Sequence, residues 1–396
     1  MTGAADDDPS GIGTYSQVGA AFRFGLLWTA LFTFPLAAAV QETAARLGLA
    51  TGRGLASLIR ERFPGWVLYA AVALVTMANV FNIGADLGSM AAAVRLLVPL
   101  PFLVLILALT ATMVSLEVAV PYHRYAKVLR WLTVSLVAYI AVLFVVKTDW
   151  ASVARHTFIP TFSFDRIDIA ALIAIFGTTI SPYLFFWQAS EEVEEELEHH
   201  ELPPVDASHI SVMRTDVIGG MGSAVIVMFA IMVAAGATLG KQGITTVQTA
   251  DQAALALKPI AGSLASLLFT LGILGTGALA VPVLAGSTAY ALSEALGWHE
   301  GLSRTFRQAR GFYGVLIAAT VVGVALNFSG INPVRALYFA AILNALAAPP
   351  LILLMLILSN SERVMGRWRG GRLSNVLLGL SLVAMAGLPL AYLVAG

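Results

Sequence analysis

Apolar runs long enough to cross a membrane follow one another along the whole chain, separated by short polar stretches. Measured against the roughly 20 residues that a helix needs to span a bilayer, ten complete segments stand out. They lie at about 24–43, 66–94, 101–120, 129–146, 168–198, 210–239, 260–292, 311–328, 333–358 and 373–395. The stretch 1–21 is too short to cross. It carries a proline break and the helix after it but nothing ahead of the break, so the first half-helix is read as missing and the natural chain as beginning upstream. The pattern predicts an all-α polytopic membrane protein.

Two places interrupt this pattern with helix-breaking, polar residues: Asp6-Asp7-Asp8-Pro9-Ser10-Gly11 and Thr178-Thr179-Ile180-Ser181-Pro182-Tyr183. A broken helix at bilayer depth frees backbone groups that lipid cannot satisfy, so it persists only where it is buried in protein or lines a polar cavity. Breaks at corresponding places in two halves point to a substrate site near the bilayer midplane. Either proline alone could be an ordinary kink. The acids beside Pro9 favour the site, because carboxylates inside a membrane are costly and mark function.

Composition fixes the solvent. Of 396 residues 58% are hydrophobic and 12% charged, with a mean hydropathy of +0.84, which excludes a water-soluble domain. The formal net charge is zero, so only the placement of charges informs, and nothing points to nucleic acid. Without cysteine there are no disulfides, thiolate metal sites or Cys nucleophiles. No secretory leader of the usual form opens the chain. Placing the N-terminus in the cytosol puts 15 of the 23 basic residues, among them Arg46, Arg124, Lys127, Arg214 and Arg304, in cytosolic loops and leaves eight outside. That excess fits the positive-inside rule and eleven segments with the C-terminus out, in the cell membrane.

Acids crowd the end of the second broken segment, from Glu191 and Glu192 through Glu194, Glu195, Glu196 and Glu198 to Glu201. The distal ones read as a solvated helix end. Glu191 and Glu192 lie near enough to Pro182 to concentrate cations at a vestibule. His199 and His200 are adjacent and do not share a helix face, so they read as a surface pair and not a metal site. In segment 66–94, Asn79, Asn82 and Asp86 fall on one helical stripe that should face the bundle interior, either lining a pathway or bonding between helices. Asn344 carries the same two readings, and the Gly-rich stretch 272–286 reads as close helix packing.

The order of these features resembles the NRAMP family of divalent-metal transporters over nearly the whole chain. Asp8-Pro9-Ser10-Gly11 stands where that family has Asp-Pro-Gly-Asn, and Ser181-Pro182-Tyr183 where it has Met-Pro-His. Arg46-Leu47-Gly48-Leu49-Ala50-Thr51-Gly52 matches the family's basic cytosolic loop, and Asp86-Leu87-Gly88-Ser89 its Asp-Leu-Ala-Glu. The resemblance implies a LeuT/APC-like fold of two inverted five-helix repeats, about 1–146 and 165–358, with broken helices 1 and 6 and an extra helix at about 373–395. It implies one transporter domain, working as a monomer with no resident cofactor.

The departures are more specific. The family's Asp ligand is kept as Asp8, but its Asn is Gly11 and its Met is Ser181, so the soft thioether is gone. A set of carboxylate, hydroxyl, carbonyl and water ligands suits Mg, Ca or Mn, and Mg(II) prefers a roomy site in which it keeps several waters. In this the chain is most similar to the prokaryotic NRAMP-related magnesium transporters. The family's histidines are Tyr183 and Gln188 here, and its third-span Glu is Ser89, which leaves Asp86 as the surviving titratable member. The expected ligands are Asp8, Gly11, Thr178 and Ser181, with Asp7, Asn79, Asn82, Asp86, Tyr183, Gln188, Glu191, Glu192 and Asn344 behind them or along the path. The expected activity is uncoupled Mg(II) uptake, with Mn(II) also carried, by alternating access. A proton-coupled Mn(II)/Fe(II) symporter is the runner-up. An amino-acid transporter would want paired glycines at the break, and no His-Glu-x-x-His or Gly-x-Ser-x-Gly motif marks an enzyme.

Overall fold

The computed structural model describes residues 8–120, 131, 134–161, 163–198 and 206–395, with the side chains of 195–198 excepted. Asp6, Asp7, Arg124, Lys127, His199, His200 and Glu201 lie outside the described residues, as does the expected absence of a first half-helix. Among the described residues every regular element is helical. The principal helices are α1 (Pro9–Phe22), α2 (Trp28–Thr51), α3 (Leu55–Arg62), α4 (Gly65–Val94), α5 (Phe102–Ala119), α6 (Val137–Val145) and α7 (Trp150–Phe158). After them come α8 (Arg166–Thr179), α9 (Pro182–Glu198), α10 (Ala207–Thr238), α11 (Ala265–Leu296), α12 (Arg310–Ala325), α13 (Pro333–Asn360) and α14 (Arg372–Val394).

Among the described residues eight spans are long and apolar enough to cross a membrane: α4, α5, the pair α8 and α9, α10, α11, α12, α13 and α14. A ninth arises if α6 and α7, bent by 120° at the polar stretch between them, count as one. Helix α1 has only 14 residues, and α2 carries Gln41, Glu42 and Arg46 in its second half. Adding these two gives the eleven segments read from the sequence.

The two breaks form for local reasons. Asp8 caps α1 by accepting the Gly11 amide on Oδ1 at 2.8 Å, and Pro9, with no amide to satisfy, occupies the first helical position. At the second break, a continuous helix would drive the Pro182 ring into the carbonyl of Thr178. Instead α8 ends at Thr179, and Pro182 starts α9. Packing around the breaks is reciprocal, with α1 against α10 and α9 against α2, while α4 and α11 form the extensive central contact. Two glycines of 272–286 allow close helix packing: a Cβ on Gly277 would meet Met90 Sδ of α4 at 2.5 Å, and one on Gly286 the Trp187 ring of α9 at 2.6 Å.

One loop assignment is corrected. The stretch from Arg46 to Thr51 is not a cytosolic loop but the last part of α2, closed by Gly52 in the left-handed region at φ 64°. Arg46 is 1% exposed, with Nε on Glu42 Oε1 at 3.0 Å and Nη1 donating to the Trp368 carbonyl at 2.9 Å. Arg214 joins the same Glu42 oxygen at 2.9 Å. A buried arginine needs such a partner set, and only neighbouring helices could supply it.

Candidate functional site

The N-terminus of α1 and the C-terminus of α8 meet inside the bundle. Ser10 Oγ donates to Asp8 Oδ1 at 2.7 Å and shares a hydrogen bond with Thr178 Oγ1 at 2.9 Å, joining the two breaks directly. One helical turn further on, the Tyr15 hydroxyl and Thr179 Oγ1 share another at 2.9 Å. Asp8, Ser10, Gly11, Thr178, Thr179 and Ser181 are all buried. Asp8 Oδ1 is spent on its cap, whereas Oδ2 is buried without a hydrogen-bond partner. That oxygen is an unpaired acceptor at the meeting of the two breaks. Gly11 borders it: a Cβ there would lie 3.7 Å from Thr178 Oγ1 and 3.8 Å from Asp8 Oδ1, and 3.2 Å from the Tyr15 ring.

Ser181, an expected ligand, already bonds the end of α8. Its Oγ donates to the Gly177 carbonyl at 3.2 Å and the Thr178 carbonyl at 3.0 Å, so it caps the broken end of α8. Its lone pairs remain available to a cation. Both carbonyls belong to the negative end of a helix dipole, while Asp8 sits at the positive end of α1.

Asp86 is 0% exposed, lies within electrostatic range of Asp8, and has neither carboxylate oxygen hydrogen-bonded. The two asparagines of its stripe are committed between helices. Asn79 Nδ2 donates to the Leu284 carbonyl at 3.2 Å and to Thr288 Oγ1 at 3.0 Å on α11, and Asn82 Nδ2 donates to Asn344 Oδ1 on α13 at 2.9 Å. Asn79 Oδ1, Asn82 Oδ1 and Asn344 Nδ2 stay buried without partners. Both readings of the stripe therefore keep support. Tyr183 is fully buried, and its carbonyl accepts the Ser287 hydroxyl at 2.7 Å. Gln188 Nε2 donates to Glu192 at 2.8 Å.

The acidic end of α9 does not form one solvated face. Glu191 and Glu192 are half-buried, but Glu194 is 8% exposed and takes the Tyr290 hydroxyl, the Leu302 amide at 2.8 Å and the Ser303 amide at 3.1 Å. Beside it Glu294 accepts the Ser57 amide and the Ser190 hydroxyl, each at 2.8 Å, tying α3 and α9 to α11. These groups line a cavity of about 300 Å³ with Glu300 and Arg304. Burial, then the nearby Glu294 and Glu194 charges, push the Glu300 carboxyl up to about 9 against the opposing pull of Arg60 and Arg304.

Sequence reading missed Glu194 as a structural acceptor, and it missed Glu294 and Glu117. Glu117 is 4% exposed on α5, and among the described residues its carboxylate accepts only long hydrogen bonds from Thr320 Oγ1, at 3.4 and 3.5 Å. An acid inside an 18-residue apolar helix was the available signal for it. Among the described residues no three His, Cys, Asp or Glu side chains converge to hold a metal. A cation at the two breaks would take its remaining ligands from hydroxyls, carbonyls and water.

The chain matches the family described as Natural resistance-associated macrophage protein-like (Nramp) over residues 1–395. It is 28% identical over 398 residues to the divalent metal cation transporter MntH of Burkholderia ambifaria, with 98% of this chain and 85% of that one covered. To the protein of the same description from Caldanaerobacter subterraneus it is 25% identical, covering 93% and 85%. Its fold is similar to the Eremococcus coleocola manganese transporter crystallised with an aromatic bis-isothiourea compound. There the TM-score is 0.76 at 19% identity, with 98% and 84% covered. It is also similar to Mhp1, a nucleobase-cation-symport-1 family transporter, with a TM-score of 0.61 at 14% identity and coverage of 98% and 89%.

Proposed function

Because the chain belongs to the Nramp family, we propose that it is a divalent metal cation transporter of the cell membrane that carries Mg(II), and Mn(II) less well, through the site between the two breaks. The observation that carries this reading is the donor set. Asp8, whose Oδ2 is unpaired, is joined through the Ser10 hydroxyl to that of Thr178, and Ser181 bonds the carbonyls of Gly177 and Thr178 at the same break. Hard oxygen donors and a glycine at position 11 suit a cation that keeps part of its water. Alternating access of the monomer around this point would move the ion inward. An inside-negative potential supplies about 4.6 kcal/mol per 100 mV for a divalent charge that crosses fully.

Transport is uncoupled from protons in this reading. Asp86 is the titratable neighbour of Asp8, and Tyr183, Gln188 and Ser89, which stand where the family has its histidines and glutamate, are not proton carriers near neutral pH. A second reading, a Mn(II)-preferring site, draws on two thioethers. Met228 Sδ lies 3.9 Å from Thr179 Oγ1, and Met90 reaches the side of Gly277 that also faces Pro9. Soft sulfur in the coordination shell would favour Mn(II) or Fe(II).

Both readings are separated by flux into proteoliposomes, with Mg(II), Mn(II) and internal pH followed in parallel under a clamped potential. Mg(II) entry with a flat pH signal is expected. Metal-dependent acidification that vanishes in Asp86→Asn would make the protein a proton symporter instead.

A further inference from the structure

Eight basic residues stand on the outer side in the orientation set by the sequence, and the fold brings three of them to one place. Arg23 follows the end of α1, Lys147 follows α6, and Lys241 follows α10. Together with Asp149 and His156 they line a cavity of about 530 Å³. None of the ion pairs among the described residues involves these three cations. The cavity's carboxylate, Asp149, is turned to its own helix, where Oδ1 accepts the amides of Ala151 at 3.0 Å and Ser152 at 3.2 Å as the cap of α7. Three cations therefore share a pocket with one carboxylate that is bonded to its own helix and to none of them, which leaves the lining with a net positive charge.

Arg23 is held there at a conformational cost. It has φ 54° and ψ −107°, and among the described residues it is the one non-glycine with positive φ. Such backbone is uncommon outside glycine and persists where the surroundings over-determine it. The surroundings are the end of α10 and the turn after it, where two glycines admit the chain. A Cβ on Gly236 would meet the Arg23 carbonyl oxygen at 2.8 Å, and one on Gly240 would meet Arg23 Cγ at 2.9 Å. The guanidinium also lies over the Phe24 ring, 5.7 Å from its centre.

We propose that this cavity binds a phosphate group, with Arg23, Lys147 and Lys241 as its ligands. Arginine and lysine side chains are the usual partners of phosphate oxygens. Clustered cations on an outer face would repel an approaching divalent ion, so the patch does not serve as a cation lure. The pocket adjoins lipid-facing surface: in the last turn of α6, Phe144 is 84% and Val145 56% exposed, immediately ahead of Lys147. That position suits the headgroup of an anionic phospholipid, and free inorganic phosphate shares the chemistry. An occupant would bridge the ends of α1, α6 and α10, and so stiffen the outer end of the broken α1. The inference stands on residues apart from the metal site and does not depend on which metal is carried.

The test uses the detergent-solubilised full chain, with its melting midpoint followed against short-chain phosphatidylglycerol, short-chain phosphatidylcholine and inorganic phosphate. The comparison protein is Lys147→Gln/Lys241→Gln, whose altered side chains are exposed, so its melting midpoint without lipid should match the parent's. Arg23→Gln provides an independent second variant. Phosphatidylglycerol should raise the parental midpoint, with the concentration needed rising roughly tenfold or more in the double variant. A shift by phosphatidylglycerol without one by phosphate identifies the lipid headgroup, and equal shifts by both identify the free anion. Equal shifts by phosphatidylcholine and phosphatidylglycerol, or identical titrations of parent and variants, would overturn the proposal.

Discussion

Asp8 has two roles that a single substitution can separate. Oδ1 caps α1 through the Gly11 amide at 2.8 Å, while Oδ2 is buried and unpartnered. Asparagine is as good an N-cap as aspartate, so Asp8→Asn should leave stability within about 0.5 kcal/mol, whereas Asp8→Ala should cost about 1 kcal/mol. Metal binding responds differently. At about 4 Å and an effective dielectric near 20, a unit charge pair is worth about 4 kcal/mol, and a divalent ion doubles that to about 8. Dehydration of the ion and the carboxylate offsets much of this. If roughly a third survives, about 2.7 kcal/mol, Asp8→Asn weakens divalent binding on the order of a hundredfold. The assay pairs Mg(II) flux in proteoliposomes with thermal melting of the same preparations. Parental flux in a well-folded Asp8→Asn protein would refute the site. A melting loss equal to that of Asp8→Ala would refute the account of the cap.

Three further outcomes follow from the geometry. Gly11→Asn with Ser181→Met should move the Mg(II)-to-Mn(II) competition ratio toward Mn(II). It should also lower stability by about 1 kcal/mol, because the methionine cannot donate to the Gly177 and Thr178 carbonyls; an unchanged ratio places selectivity elsewhere. Asn82→Ala and Asn344→Ala each break the 2.9 Å bond between α4 and α13 and should each cost on the order of 1 kcal/mol. The double variant should cost less than the sum, and strict additivity in melting would show that the bond contributes nothing. Glu300, in the loop after α11, binds more protons folded than unfolded between its ordinary 4.5 and about 9. Stability should therefore fall as pH rises through that window. Glu300→Gln should flatten the fall in a pH series of melts, and an unchanged slope would mean that other groups cause it.

Which helices form, and where two of them break, was legible from residue order alone. Span length and apolarity are local properties set by the bilayer, and Pro9 and Pro182 break helices through their own covalent geometry. The stripe of Asn79, Asn82 and Asp86 was legible for the same reason, since helical spacing places residues on a face without reference to any partner. The tertiary structure decided who those residues meet. Burial of Arg46 depends on Glu42 and on the Trp368 carbonyl, more than 300 positions away in the chain. Glu194 became a buried acceptor because the loop at Leu302 and Ser303 folds over it. Ser181 turned inward to cap carbonyls that exist as free groups only because the helix is broken there. The meeting of Ser10 with Thr178, and of Arg23 with Lys147 and Lys241, likewise required distant segments to pack. Hydrogen bonds and charges act over a few ångströms of space, and sequence distance does not fix that space until the helices have assembled.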